Sequence, residues 1–231
     1  MKSAELLRPA LNAITFSMKF FRKTEVWRPT RWGVLLAFLF LSALGFGLVL
    51  GLYPFFAQTR PVVQPRVIII EGWLADAELA EALEQLDPGA LLVTTGGPIK
   101  LAGILVEEKT YAEVTTARLS KLGIPSERIL TVPAPDTATD RTYVSALAVR
   151  RALEEQGLLG RPANLYSLGA HSRRSFLLYR LALGPEVPLG VVAIESQEFD
   201  LRHWWKSSLA FKHVMSELMS WTYVQCTRWK Y

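Results

Sequence analysis

From Gly33 to Thr59 the chain carries no charged residue, and Gly33 to Phe56 reads GVLLAFLFLSALGFGLVLGLYPFF. A helix needs ~20 apolar residues to cross the hydrocarbon core of a bilayer, so the run predicts a transmembrane helix over 33–56. Beyond it the pattern breaks into short blocks of two kinds. Continuous apolar runs at Val67–Ile70, Ala90–Thr94, Ile129–Val132, Asn164–Leu168 and Leu189–Ile194 have the pattern of strands buried on both faces. Between them apolar residues recur at helical spacing: Leu79, Ala82, Leu83 and Leu86, then Lys109 to Leu122, then Val144, Leu147, Ala148 and Ala152, then Ser172 to Leu183. Gly123, Gly157 and Gly184 stand where these helices should stop. A last helix is expected over about Ser208–Val224, with Phe211, Val214, Met215 and Leu218 on one face.

Apolar strands alternating with helices predict a parallel sheet covered on both sides. The fold class is therefore α/β, a Rossmann-like doubly wound sheet of about five strands behind an N-terminal transmembrane helix. The expected organisation is a tail over 1–32, the helix over 33–56, a stiff Pro-containing linker over 57–65, and one domain over 66–231. That domain is long enough to bury a core without staples, and Cys226, the only cysteine, rules out an intrachain disulfide.

Charge sets the expected orientation. Residues 1–32 hold seven basic residues against Glu5 and Glu25, whereas 33–231 sum to zero within a chain of net charge +5. The basic flank predicts a cytoplasmic N-terminus and an extracytoplasmic, periplasmic domain on the cytoplasmic membrane. The apolar run is too long, and too far from the start, for a cleaved signal peptide. Trp27, Trp32 and Tyr53 suit the membrane–water boundaries, and residues 4–21 suit a short interfacial helix. Because the excess charge belongs to the tail, nucleic acid is not an expected partner.

In doubly wound sheets ligands sit beyond the carboxyl ends of the strands. Those ends carry Glu71, Gly72 and Trp73 after the first strand, Thr95, Gly96 and Gly97 after the second, Thr139, Asp140 and Arg141 after the third, and His171 to Arg174 after the fourth. Gly96 and Gly97 offer backbone N–H groups to an anion, although a tight turn explains them as well. His171-Ser172-Arg173-Arg174 opens a helix, a place that favours anions and disfavours cations. Arg there suits a phosphate clamp and His a proton donor or acceptor. Thr139 and Asp140 are also good helix caps. Glu71, an acid closing a buried strand, needs a partner, for which Arg141 or Arg174 is the expectation. The chain has no GxGxxG, no GxSxG elbow and no paired metal-ligand spacing, so no cofactor is assigned.

The ordered set of Thr95-Gly96-Gly97, the turn Gly123-Ile124-Pro125, the Thr-containing segment 137–143 and the H-x-x-R of His171 to Arg174 resembles the DUF218 superfamily, also called the ElyC/SanA/YdcF family. The resemblance covers about 66–195. The first strand departs from it, ending in Glu71-Gly72-Trp73 where the family has a glycine-rich turn. The resemblance implies a single-pass envelope protein linked to polysaccharide or peptidoglycan-precursor metabolism. With the strand-end residues it leads to the expectation of a domain that binds an anionic precursor such as a phosphate-bearing sugar or lipid-carrier intermediate, with processing of that precursor left open. In that reading His171, Arg174 and Glu71 are the catalytic set, and Gly72, Trp73, Thr95, Gly96, Gly97, Thr139, Asp140 and Arg141 hold the ligand. Two rivals stay open: a non-catalytic scaffold that docks a protein partner through the C-terminal helix, and a nucleotide-type cofactor in the same crevice.

Overall fold

A computed structural model describes residue 26, residues 28–99 and 109–227, and residue 230. The interfacial helix expected over 4–21, and Trp27, lie outside them. The chain divides into two compact units, Met1–Ser42 and Ala43–Tyr231. Described residues of the first unit are helical from Arg31 onward, with Trp32 exposed in the first turn. They open α1 (Arg31–Phe56), whose most apolar stretch has a mean hydropathy of 2.5 and is unburied. Among the described residues it is the one helix long and apolar enough to cross a membrane. At 1.5 Å per residue it is about 39 Å long, against ~30 Å of hydrocarbon.

The second unit begins inside that helix. Leu44, Phe46, Leu48 and Leu50 are exposed, but Tyr53 and Phe56 are buried. They pack with Ala170, Leu201, Trp204, Ala210 and Val214, and Trp204 Nε1 donates to the Val49 carbonyl at 3.1 Å. Tyr53, expected at a lipid boundary, is therefore buried against protein.

Five strands follow: β1 (Val67–Glu71), β2 (Leu91–Gly96), β3 (Ile129–Pro133), β4 (Ala163–Leu168) and β5 (Leu189–Ile194). All pair in parallel, in the order β3-β2-β1-β4-β5. Strand residues alternate between faces. Val67, Ile69, Val93, Leu165 and Val191 meet α4 (Arg141–Glu155) and α5 (Ser172–Leu183) through Val149, Leu153, Tyr179 and Leu183. Ile68, Ile70, Leu92, Tyr166 and Val192 meet α2 (Asp76–Glu84) and α3 (Tyr111–Lys121) through Leu79, Ala82 and Leu119. Full burial of such side chains contributes roughly 1.5–3 kcal/mol each, which is why these runs tolerate no polar face.

Two elements make contacts that the sequence did not show. The linker over 57–65 is stitched to the sheet edge. Arg60 bridges Val191 in antiparallel fashion, and the Asn164 side chain pairs with both backbone groups of Val62, at 2.8 and 3.1 Å. The final helix, α6 (Ser208–Thr227), packs Ala210 and Val214, with Leu218 and Trp221 partly buried, on the end of α1 and the turn after β4. The face that the scaffold alternative assigns to a partner is split: Met215 and Leu218 pack inside, and Phe211 is exposed.

Candidate functional site

The strand order reverses between β1 and β4, because the connection from β1 runs to β2 and β3 before the chain returns to β4. At such a switch point the helices leave in opposite directions and open a crevice. Strand parity decides what faces it. Glu71 continues the side of Val67 and Ile69, Thr95 that of Val93, and Ser167 that of Leu165. All three, buried, lie on the α5 side. On α5, Ser172, Ser175 and Tyr179 follow at helical spacing and are buried as well. A polar layer therefore caps this half of the apolar core at the carboxyl end of the sheet.

Glu71 is 1% exposed and accepts from the Ser175 hydroxyl at 2.9 and 3.1 Å. His171 stands beside it. The turn Gly169–His171 after β4 needs its glycine: Gly169 has φ +38°, and a Cβ there would lie 2.6 Å from Leu201 Cδ1. His171 Nε2 lies 3.8 Å from Glu71 Oε1, and Nδ1 lies 2.8 Å from Glu217 Oε1. Arg174, one turn along α5, grips Glu217 with both Nε, at 2.8 Å, and NH2, at 3.1 Å. The result is a buried row, Glu71–His171–Glu217–Arg174. Arg174 NH2 also lies 2.9 Å from His171 Nδ1, so this nitrogen meets both an acceptor, Glu217, and a donor, Arg174. Nε2 faces Glu71, buried and with no hydrogen-bond partner among the described residues.

The two carboxylates are driven apart. Burial raises the Glu71 carboxyl above its ordinary range, and His171, the nearby Ser167 and Ser175 hydroxyls and Arg174 only partly offset it. Burial also acts to raise Glu217, but His171 and Arg174 outweigh it and hold that carboxyl far below the ordinary range. Glu217 is thus a fixed anion, while Glu71 is biased toward its protonated form. Divergence of this kind is how acid and base roles are separated in one site. Burial, reinforced by the Glu71 charge, likewise keeps the Tyr179 phenol protonated, and burial pushes His213, one turn before Glu217, toward its neutral form.

Beside this row lies a cavity of about 1050 Å³. Trp73, Gly97, the segment Ala134–Thr142, His171, Arg174, Glu217 and Tyr223 line it. Trp73 meets the His171 ring edge-on at 5.1 Å. Within this segment Asp140, the N-cap of α4, has φ +53°. A left-handed backbone at a non-glycine residue points to a constrained and often functional position. Arg141 follows it, exposed and with no hydrogen bond or acidic partner among the described residues. Among the described residues no group of three or more His, Cys, Asp or Glu could hold a metal.

Of the sequence candidates, Trp73, Gly97, Thr139, Asp140, Arg141, His171 and Arg174 line one cavity, with Glu71 buried behind its wall. The others do not reach it. Gly72 and Gly96 serve close packing instead. A Cβ on Gly72 would meet the Tyr111 and Thr95 carbonyls at 2.7 and 2.8 Å, and one on Gly96 would meet Tyr111 Cβ at 2.6 Å. Thr95 is buried with its hydroxyl turned to the Tyr179 side. The partner expected for Glu71 also changes. It is Ser175 with His171, since Arg174 is engaged by Glu217 and Arg141 stands at the cavity wall.

No family model, curated protein or solved structure matches this chain.

Glu217 is the residue that sequence reasoning missed. Its signal is an acid inside the buried stripe of α6, at the spacing set by Ala210, Val214 and Val224. Ser175 and Tyr179 carry a similar signal on α5.

Proposed function

We propose that the chain is a single-pass envelope protein whose extracytoplasmic domain binds a small phosphate-bearing metabolite in the cavity at the β1/β4 switch point. The observation that carries the reading is the convergence there of Arg141, which has no hydrogen-bond or acidic partner among the described residues, the first turn of α4, and the paired His171 and Arg174. Helix N-termini and arginine both favour phosphate oxygens. In this reading Arg141 and the α4 N–H groups hold the anion, Gly97 and Trp73 shape the wall, and Thr139 and Asp140 position the first turn. Arg174 and Glu217 orient His171, and His171, which lines the cavity beside Glu71, is the available acid–base group. The basic flank of residues 1–32 and the resemblance to the DUF218 superfamily supply the membrane orientation and the envelope setting. A dinucleotide is less well served, because Glu71-Gly72-Trp73 occupies the turn where a glycine-rich loop would cradle a pyrophosphate.

The test uses the full chain in detergent micelles, titrated calorimetrically with inorganic phosphate, glucose 1-phosphate and ATP. Saturable binding of a phosphate ligand, weakened at least tenfold in Arg141→Ala, is expected. Affinity unchanged in both Arg141→Ala and His171→Ala removes the site. Preference for ATP over both simpler phosphates favours a nucleotide. A C-terminal alkaline phosphatase fusion should be active in cells, and an inactive, stably made fusion overturns the orientation.

A further inference from the structure

A second concavity, of about 500 Å³, lies on the other side of α5, against the end of α1. Its walls include Arg173, Arg180, Phe176, Leu181 and Trp221, and among the described residues none that lines it is acidic. Arg173 is tethered in a specific way: its Nε donates to the Phe55 carbonyl, and its guanidinium lies 3.9 Å over the Phe55 ring. Its two terminal nitrogens make no hydrogen bond among the described residues, and Arg60 adds a further positive charge nearby. Arg180, exposed, rests over Phe176 at 5.6 Å with no acidic partner among the described residues. Arginines gathered without acids repel one another, so the cluster raises the energy of the empty groove.

Depth identifies what would relieve that repulsion. Within this unit the exposed apolar residues of α1 run as far as Phe55, the residue to which Arg173 is tethered. Arg173 therefore stands where the exposed apolar surface of α1 ends. A polar headgroup zone roughly 5–8 Å thick begins at such an end. Leu181, 36% exposed, and Trp221 give the same groove an apolar wall.

We propose that this groove holds the headgroup of an anionic phospholipid from the membrane that embeds α1, with its phosphate between Arg173 and Arg180 and its upper chain against Leu181 and Trp221. The inference rests on α1 being membrane-embedded, and is independent of what the switch-point cavity binds.

The full chain in dodecyl maltoside is titrated with phosphatidylglycerol or phosphatidylcholine, and bound lipid is counted by native mass spectrometry. A basic residue near an anionic surface contributes about 1 kcal/mol, close to a fivefold change in affinity. The wild type should therefore prefer phosphatidylglycerol by at least fivefold. Arg180→Gln should reduce that preference about fivefold, and Arg173→Gln with Arg180→Gln should abolish it. Arg180→Gln breaks no bond that holds the fold, so its melting temperature should match the wild type and its result stays readable if the double variant does not fold. Equal affinity of the wild type for both lipids, or an undiminished preference in Arg180→Gln, overturns the proposal. Phosphate titration of the Arg141 variant is read without added lipid, so either result can fail alone.

Discussion

Glu71 is sealed at the end of a central strand with a hydroxyl and an imidazole edge for company and no cation in hydrogen-bond contact. Its folded-state pKa is raised, so the folded protein holds this proton more tightly than the unfolded chain does. Stability therefore falls as pH rises from the ordinary value of 4.5 through the folded one. Glu71→Gln removes the charge, and should raise the melting temperature near pH 7, with the gain shrinking below about pH 4.5. A variant less stable than the wild type at neutral pH would mean that the charge stabilises the fold. Glu217 runs the other way. Its carboxyl is depressed, so its contribution is complete above 4.5 and fades as pH falls toward the folded value. Glu217→Gln leaves Arg174 and His171 facing a neutral amide, and should cost about 3 kcal/mol at pH 7. It should also flatten the acid limb of the melting profile. Opposite signs in two carboxylates that flank one imidazole would distinguish an acid–base site from a purely structural ion pair.

Among elements, the segment over 57–65 shows how a polar side chain substitutes for strand pairing. Asn164 lies on β4, yet its amide meets both the N–H and the C=O of Val62, beside Gly190, where a Cβ would come within 2.3 Å of Asn164 Oδ1. Asn164→Ala leaves both backbone groups without these partners, and at about 1 kcal/mol per hydrogen bond should cost about 2 kcal/mol. Limited proteolysis should then cut between Thr59 and Pro65 while the wild type resists. Equal resistance would mean that the Arg60–Val191 bridge alone holds the segment. Gly72 marks a similar constraint where β1 ends: Gly72→Ala forces backbone apart, for roughly 1–3 kcal/mol of lost stability.

For the whole molecule, the notable relation is that α6 serves two ends at once. Its stripe covers Tyr53 and Phe56 at the end of α1, and Glu217 on the same helix reaches His171. Deleting 208–231 would expose that apolar cluster and remove the anion between His171 and Arg174. The truncated chain should therefore aggregate or melt well below the full one, as read by tryptophan fluorescence. A truncated chain with the melting temperature of the full one would show that α6 is dispensable to the core. The end of α1 and the site therefore both lean on one helix.

The sequence alone determined the elements and their order. Continuous β-branched runs such as Val67–Ile70 and the helical spacing of Leu79, Ala82 and Leu83 are local signals, and each strand begins and ends close to its apolar run. It also marked Glu71, His171, Arg141 and Arg174, because a charge at the end of a buried strand or the start of a helix is anomalous by itself. What it could not determine is which ends become neighbours. The order β3-β2-β1-β4-β5 brings β1 beside β4, and only then is Glu71 near His171. Glu217 joins them from 46 residues beyond His171. The roles of Gly72 and Gly96 were likewise hidden, since a glycine that admits a neighbouring backbone looks, in sequence, like one that admits a phosphate. Tertiary structure decided these points because pairing between distant segments is set by the summed packing of whole elements, and no single stretch of chain encodes it.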